Sequence, residues 1–401
     1  MNENKMAKPS LFLIIILGLL TAFGPFSIDM YLPALPEISR DFNTTTSHTQ
    51  LTLTLFMLGL AIGQVFVGPL SDVIGRKKPL IVVLIIYSVA SILCVFAPNI
   101  YIVMALRFIQ GFTGGAGAVI SRAISSDLYK GKALTKFLAV LMLVNGIAPI
   151  MAPVLGGVIL SFSTWRMVFI LLTIFGFIMF ILSLTKLSES LPEEQRSSGR
   201  ISEILSDFKN LLKSPKFLMP LFIQSCTYAL LFSYISASSF ITQSVYHVSP
   251  QLFSWMFAFN GLGLILAGQM INKMVDKYDE HFLMRLFGMI QIVGVIIVSI
   301  TLLAGWPIWL LMIGFFVLVS PVSAIGTTGF SIAMANNNGG AGSATSLLGL
   351  SQFAFGGLVS PLVGINGESD PIPFVITIVI VSILLMVLYF INSKVFKPSS
   401  N

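Results

Sequence analysis

Gly68-Pro-Leu-Ser-Asp72-Val-Ile-Gly75-Arg76-Lys77-Lys78 packs charge and turn-forming residues into an otherwise apolar region. It lies between two apolar segments, residues 46–70 and 79–97. A helix needs about 20 apolar residues to cross a ~30 Å hydrocarbon core, so each segment is a candidate span. Between them a helix stop, a tight turn and four charges occupy eleven residues. Gly68 and Gly75 permit the turn. Asp72 can cap the next helix or pair with Arg76, and Asp127, at the end of a later span, is a second possible partner. Such a cluster can latch the inner ends of the spans in the outward-facing state. It can equally be a solvated basic loop that serves topology alone, and spacing does not separate the two.

On either side, apolar segments run over 11–36, 46–70, 79–97, 100–125, 134–160 and 165–185, then over 215–243, 250–272, 282–304, 307–335, 340–364 and 371–392. Charged residues make up 10% and apolar residues 56% of the chain, with a mean hydropathy of +0.93. An average soluble chain carries about 25% charged residues. The expectation is an all-α polytopic membrane protein of twelve transmembrane helices. It divides into an N-terminal six-helix bundle (1–185), a polar cytoplasmic linker (186–214) and a C-terminal six-helix bundle (215–401). Lys5 and Lys8 before Leu11–Leu20 resemble a signal peptide, but no small-residue cleavage site comes after them, so this reads as an uncleaved first helix.

With the N-terminus placed inside, 20 of the 23 Lys and Arg fall on the inner side. Only Arg40 and Arg166 fall outside, and Arg107 lies within a span. That asymmetry places both termini in the cytoplasm. It also accounts for the net charge of +7 without nucleic acid, because the basic residues are scattered through short loops. The halves repeat weakly. Each opens with a proline-interrupted span and carries a basic loop after its second, the later copy being Asn272-Lys273-Met-Val-Asp276-Lys277. Paired halves with a site between them are a transporter architecture.

Ionisable residues within spans mark function. Asp29 and Arg107 each lie about seven residues from the outer end of a span, roughly 10 Å deep, so they can meet. A static ion pair that fixes packing is one reading. The other is a proton site, in which burial favours the neutral acid and the arginine favours the carboxylate. Gln110 shares a helix face with Arg107. The glycines at 111, 114, 115 and 117 read as close helix packing, since no strand and no phosphate-binding lysine accompanies them. In the fifth span Asn145 precedes Pro149, Pro153, Gly156 and Gly157, a kink or a hinge. Gln224, Tyr228, Tyr234 and Gln243 in the seventh span, and Asn260 in the eighth, suit a partly polar ligand in an apolar cavity or simple interhelical hydrogen bonds. The chain's 33 Phe and 18 Met fit such a cavity, though most serve packing or face lipid.

These motifs carry a resemblance. The opening stretch is similar to the loop signature of the major facilitator superfamily. Arg107-Phe-Ile-Gln110-Gly111 resembles its fourth-span motif, and Ala152-Pro153-Val-Leu-Gly156-Gly157 its antiporter motif. Ser27-Ile-Asp29-Met-Tyr31-Leu-Pro33-Ala-Leu-Pro36 and Phe232-Ser-Tyr-Ile-Ser-Ala-Ser-Ser-Phe240 resemble the Bcr/CflA drug:proton antiporters. The resemblance covers essentially the whole chain. It implies alternating access in a bacterial inner membrane, export driven by inward proton flow, and a monomer. It implies that Asp29 takes the proton and substrate role and Arg107 the coupling role; with them, Tyr31, Gln110, Asn145, Gln224, Tyr228, Tyr234 and Asn260 are the candidate substrate contacts. Gly68, Asp72, Gly75, Arg76, Lys77 and Asp127 would form the latch, and Pro149, Pro153, Gly156 and Gly157 the hinge. The substrates implied are mostly apolar or amphipathic small molecules, with protons as the coupling ion and no other cofactor. The chain departs in its degenerate second loop and at Ser239, where members often carry proline.

Other classes fit poorly. His48, His247 and His281 lie singly in separate loops, so no metal or catalytic cluster forms. Cys94 and Cys226 fall within spans and read as packing residues. No ATP-binding motif is present. Export of a native metabolite or siderophore, and proton symport for uptake, remain as alternatives to drug efflux.

Overall fold

The structure, a computed structural model, describes residues 11–129, 131–196, 208–336 and 341–395. The linker's central residues, 197–207, lie outside the described set. Among the described residues, twelve long helical stretches follow one another. The first is broken into α1 (Leu11–Thr21), α2 (Phe23–Asp29), a 3-10 turn at Leu32–Ala34 and α3 (Leu35–Asp41). Then come α4 (Thr46–Ile74), α5 (Lys77–Val95), α6 (Ile100–Leu128), α7 (Gly131–Leu160) and α8 (Trp165–Lys186). After the linker run α9 (Pro215–Phe240), α10 (Pro250–Met274), α11 (Glu280–Leu303), α12 (Ile308–Val319), α13 (Pro321–Ala335), α14 (Ala341–Val359) and α15 (Ile372–Val395). Ten of these stretches are long and apolar enough to cross a membrane, with α12 and α13 counted together, and the bent first stretch makes an eleventh. No strand occurs among the described residues.

Local chemistry sets the ends. Thr45, Asn99, Ser249 and Asp279 each accept a backbone N–H two or three residues into the helix they precede. These contacts satisfy donors that a helix start leaves free. The prolines act unequally. Pro25, Pro33 and Pro36 accompany a first stretch bent by 47°. In contrast, α7 runs unbroken through Pro149 and Pro153. At Ser239, where proline was the family expectation, α9 continues to Phe240 and then widens into a π turn over Ile241–Val245.

The tightest packing joins α4 to α6. Gly59 and Gly63 lie against the backbone of Phe108 and Phe112, while Gly111 and Gly115 lie against the backbone of Phe56 and Leu60. Two small-x-x-x-small faces are thus locked into each other, and any Cβ there would strike a carbonyl. Around this pair stand α5, α8, α1 and α7, and α9 packs with α13, α14 and α15. The two groups meet where α7 crosses α10 and where α4 crosses α14.

Among the described residues, the hydrogen bonds between the two groups lie at the end of the molecule far from the basic loops. Ser239 Oγ donates to Leu32 O (2.7 Å) and Gln243 Nε2 to Pro33 O (3.2 Å). Gln50 Nε2 donates to Ser236 O (3.1 Å), Thr54 Oγ1 to Gly357 O (3.0 Å) and Ser47 Oγ to Pro361 O (3.0 Å). That end is sealed.

Candidate functional site

Asp29 ends α2, and the two faces of this short segment do different things. Phe23, Ser27 and Tyr31, four residues apart, turn into the first six helices. Phe23 meets Tyr87 edge-on, with ring centroids 4.6 Å apart. Ser27 Oγ and Tyr87 Oη share a 2.5 Å hydrogen bond, and Tyr31 Oη bonds Thr52 Oγ1 at 2.9 Å. The other face presents Gly24, Pro25, Ile28 and Asp29 to a cavity of about 200 Å³. Two residues along a helix is about 200° of rotation, which sets Asp29 opposite Ser27. Its carboxyl has no hydrogen bond or ion pair among the described residues.

Arg107 is fully buried on the Tyr31 side. Its Nη1 donates to Gln110 Oε1 (2.5 Å), and Gln110 Nε2 donates to Ser91 Oγ (2.7 Å). The guanidinium carbon stands 4.2 Å from the Phe56 ring centroid and 4.6 Å from that of Tyr31, a cation–π sandwich. Nε and Nη2 have no hydrogen-bond partner. The expected Asp29–Arg107 contact is therefore absent in this state. The two residues take opposite sides of the first span, a matter of rotation that depth arithmetic does not reach.

The second group of helices completes the cavity with Tyr228, Phe232, Tyr234, Phe257, Asn260 and Phe353, and Pro149 of α7 also lines it. Asn260 Nδ2 donates to Tyr234 Oη at 2.9 Å. Of the expected ligand contacts, Asp29, Tyr228, Tyr234 and Asn260 line the cavity, whereas Tyr31, Gln110 and Gln224 do not. Tyr31 and Gln110 hold Arg107. Gln224 accepts from Gln352 Nε2 (2.8 Å) and donates to Gly326 O (2.7 Å), tying α9 to α13 and α14. The side chain of Asn145, on α7, lies outside the described residues. Of the expected hinge, Pro149 reaches the cavity, Gly156 seats α7 on the backbone of Met30, and Gly157 seats it on Ser254 of α10. Pro153 lies within the unbroken helix.

The charged loop forms a built cluster. Arg76, buried, pairs with Asp72 (2.6 Å) and Asp127 (3.0 Å) and donates to Ser71 Oγ (2.7 Å). Gly75 takes φ +94°, where a Cβ would also strike the Glu189 carboxylate. Glu189, just past α8, accepts the backbone N–H of Arg76 (2.8 Å) and of Lys77 (3.1 Å). Lys77 thus contributes through its backbone. Ser190 Oγ donates to Asp127 Oδ2 (2.8 Å). Gly68 does not make the expected turn: α4 continues through Gly68 and Pro69 to Ile74, with Gly68 against Val119, and the turn falls at Gly75. Burial pushes the Glu189 carboxyl up, but backbone N–H groups of Arg76, Leu191, Lys77 and Ser190 outweigh it and hold the group below its ordinary value. The cluster lies wholly within the first group of helices and the start of the linker. Sequence reasoning missed Glu189, Ser190, Tyr87 and Phe56. The four-residue spacing of Ser27 and Tyr31 is the only trace they leave.

The Major Facilitator Superfamily model matches residues 17–362. The chain is 38% identical to the uncharacterized MFS-type transporter YdgK of Bacillus subtilis (strain 168), over 93% of each protein. It is 30% identical to a bicyclomycin resistance protein homolog of Haemophilus influenzae, over 99% of each. Its fold is similar to that of a bacterial homolog of the lysosomal transporter Spinster, solved in an inward-facing, unoccupied conformation. The TM-score is 0.77 at 15% identity, over 96% of this chain and 97% of the other.

Proposed function

We propose, since the chain belongs to the Major Facilitator Superfamily, that it exports small, mostly apolar or amphipathic compounds, antibiotics among them, in exchange for protons. The chain is a multi-pass membrane transporter and not an enzyme. In this reading it sits in a bacterial inner membrane as a monomer, with both termini cytoplasmic. Residues 1–185 and 215–401 act as two bundles tethered by 186–214. The basic end faces the cytoplasm, so the sealed end is the outer one and the state is inward-facing.

Asp29 carries this reading. It is a buried carboxyl with no hydrogen bond or ion pair among the described residues, and it is the one acidic or basic residue lining the cavity between the two groups of helices. Charge there is costly unless met by a proton or a ligand, which is the exchange an antiporter performs. In the outward-facing state Asp29 takes a proton. The protonated form favours the inward-facing state, where α2 is turned so that Asp29 is away from Arg107. Ligand then enters, the proton leaves to the cytoplasm, and the carboxylate turns toward the guanidinium as the protein reopens outward. Each ligand shifts the equilibrium only through its different affinity for the two states. The cavity is smaller than the ~300–1,000 Å³ of drug-sized pockets, so ligand entry separates the bundles further. The relative named for bicyclomycin resistance supports export.

The test is purified protein in proteoliposomes with an imposed pH gradient and an internal pH dye, challenged with chloramphenicol, bicyclomycin, sulfonamides and cationic dyes. Compound-triggered proton movement, lost in Asp29→Asn at unchanged fold, is the expected result. Uphill export retained by Asp29→Asn would overturn the reading.

A further inference from the structure

Resting on the reading of this state as inward-facing, we propose that Ser239, in α9, and Gln243, in the π turn after it, are positioning residues of the transport cycle. They grip the broken first span, and Asp29 with it, in the inward-facing pose, and their release opens the sealed end.

The acceptors they grip come from the sequence Leu32-Pro33-Ala-Leu-Pro36. In a regular helix a carbonyl accepts the N–H four residues on. Pro36 has no N–H, so Leu32 O keeps only the Leu35 N–H of the 3-10 turn and has a lone pair to spare. Ser239, fully buried, fills it with Oγ at 2.7 Å. Gln243 Nε2 donates to Pro33 O at 3.2 Å and to Ser239 Oγ at 2.8 Å. The sense of each bond is fixed, because a carbonyl can only accept. The single hydroxyl proton of Ser239 therefore goes to Leu32, and Gln243 must present its nitrogen.

The bonds from Gln50, Thr54 and Ser47 across the seal run the opposite way, from α4 side chains to carbonyls of the second group. Ser239 and Gln243 instead hold the backbone of the segment that carries Asp29. Leu32 is three residues past Asp29, and the chain between them is a hydrogen-bonded coil. Met30 N–H donates to Phe26 O (3.3 Å), Tyr31 N–H to Ile28 O (3.2 Å) and Ala34 N–H to Tyr31 O (3.1 Å). A turn of α2 that carries Asp29 toward Arg107 carries Leu32 and Pro33 as well, and draws both carbonyls from their donors. The grip and the direction of Asp29 are thus one equilibrium, biased by whatever binds one state better. Water replaces the donors once that end opens, so each bond biases the two states by about fivefold.

The experiment uses purified full-length protein in lipid nanodiscs, with no gradient. Cys94 and Cys226 are buried, so spin labels are placed through Thr164→Cys and Ser369→Cys, at exposed positions on the outer ends of the two groups, and their separation is read by pulsed electron spin resonance. Ser239→Ala and Gln243→Leu should each raise the ratio of longer to shorter separations about fivefold, and the two together should raise it further. Ser238→Ala is the control, because that hydroxyl bonds within α9, to Ile235 O at 3.4 Å, and it should match wild type. Gln243→Leu keeps the test decisive if Ser239→Ala folds poorly. An unchanged distribution in both variants and in their combination overturns the proposal, as does an equal shift in Ser238→Ala. A shift in the variants, with no compound-triggered proton movement by wild-type protein in liposomes, fails the antiport reading alone. Antiport by wild-type protein, with variants that keep the wild-type distribution, fails this proposal alone.

Discussion

Tyr87 is fully buried, and its phenol meets Ser27 two residues before Asp29. Replacing it with phenylalanine leaves the Ser27 hydroxyl buried without that partner, a cost of about 1–3 kcal/mol. It also loosens the face that keeps Asp29 turned to the cavity. Tyr87→Phe is therefore expected to lower the melting temperature of the solubilised protein and to shift the pH profile of proton movement. A lower melting temperature with an unmoved profile would reduce Tyr87 to packing. Arg107 poses the complementary case. Its planar guanidinium lies between Phe56 and Tyr31 while one nitrogen holds Gln110. An ammonium keeps the charge but cannot stack and bond in that plane. Arg107→Lys should abolish compound-triggered proton movement while compound binding at the cavity survives, as the proteoliposome assay and an equilibrium-binding measurement would report. The residue types at 29 and 107 were legible in the sequence, because charge within an apolar span is rare. Tyr87 and Phe56 were not, since a tyrosine or phenylalanine in a span looks the same whether it clamps a helix or faces lipid.

Between elements, the α4–α6 lock and the linker clasp give contrasting expectations. Gly111→Ala would drive a Cβ into the backbone of Phe56, where neither helix can yield locally. It should cost at least the ~1–3 kcal/mol of ordinary overpacking and reduce the monodisperse fraction on size-exclusion chromatography. Gly114→Ala, whose Cβ would find nothing closer than Phe23 Cβ at 3.8 Å, should behave as wild type. Glycine spacing announced a packed face but not its partner. At the other contact, Glu189 caps the start of α5 with a carboxyl held below its ordinary value. Stability from a group lowered in the folded state is present above the unfolded value, ~4.3, and is lost as pH falls through the folded value. Wild-type protein should therefore lose stability below about pH 5 more steeply than Glu189→Gln in a thermal-melt series. The difference will be modest because the group is exposed. Nothing in the sequence joins residue 189 to residue 76. They meet because α8 returns beside α5.

For the whole molecule, the seal between the two groups of helices is made at one end by backbone carbonyls that accept from Ser, Thr and Gln side chains. Thr54 and Gly357 sit in that seal, with Thr54 Oγ1 donating to Gly357 O at 3.0 Å. A Thr54→Cys, Gly357→Cys double variant, oxidised, should hold this end shut and stop transport, and dithiothreitol should restore it. Undiminished transport by the cross-linked protein would count against alternating access through this seal. The state itself, with one end closed and Asp29 turned from Arg107, belongs to this scale, because it depends on how far the two groups of helices lean together.

Hydropathy, loop charge and the charged turn ending α4 at Gly75–Lys78 were enough to give the all-α class and the succession of apolar helices. Length along a helix translates directly into depth, and desolvation allows little else of such composition. Rotation and partnership come from the packed helices. That packing put Asp29 on the cavity and Arg107 behind Tyr31, and withdrew Gln110 and Gln224 from the ligand. A helix of given hydropathy can face several neighbours, and the choice is made by interlocking shapes such as Gly59–Gly63 on Gly111–Gly115, which belong to pairs of segments and not to either one alone.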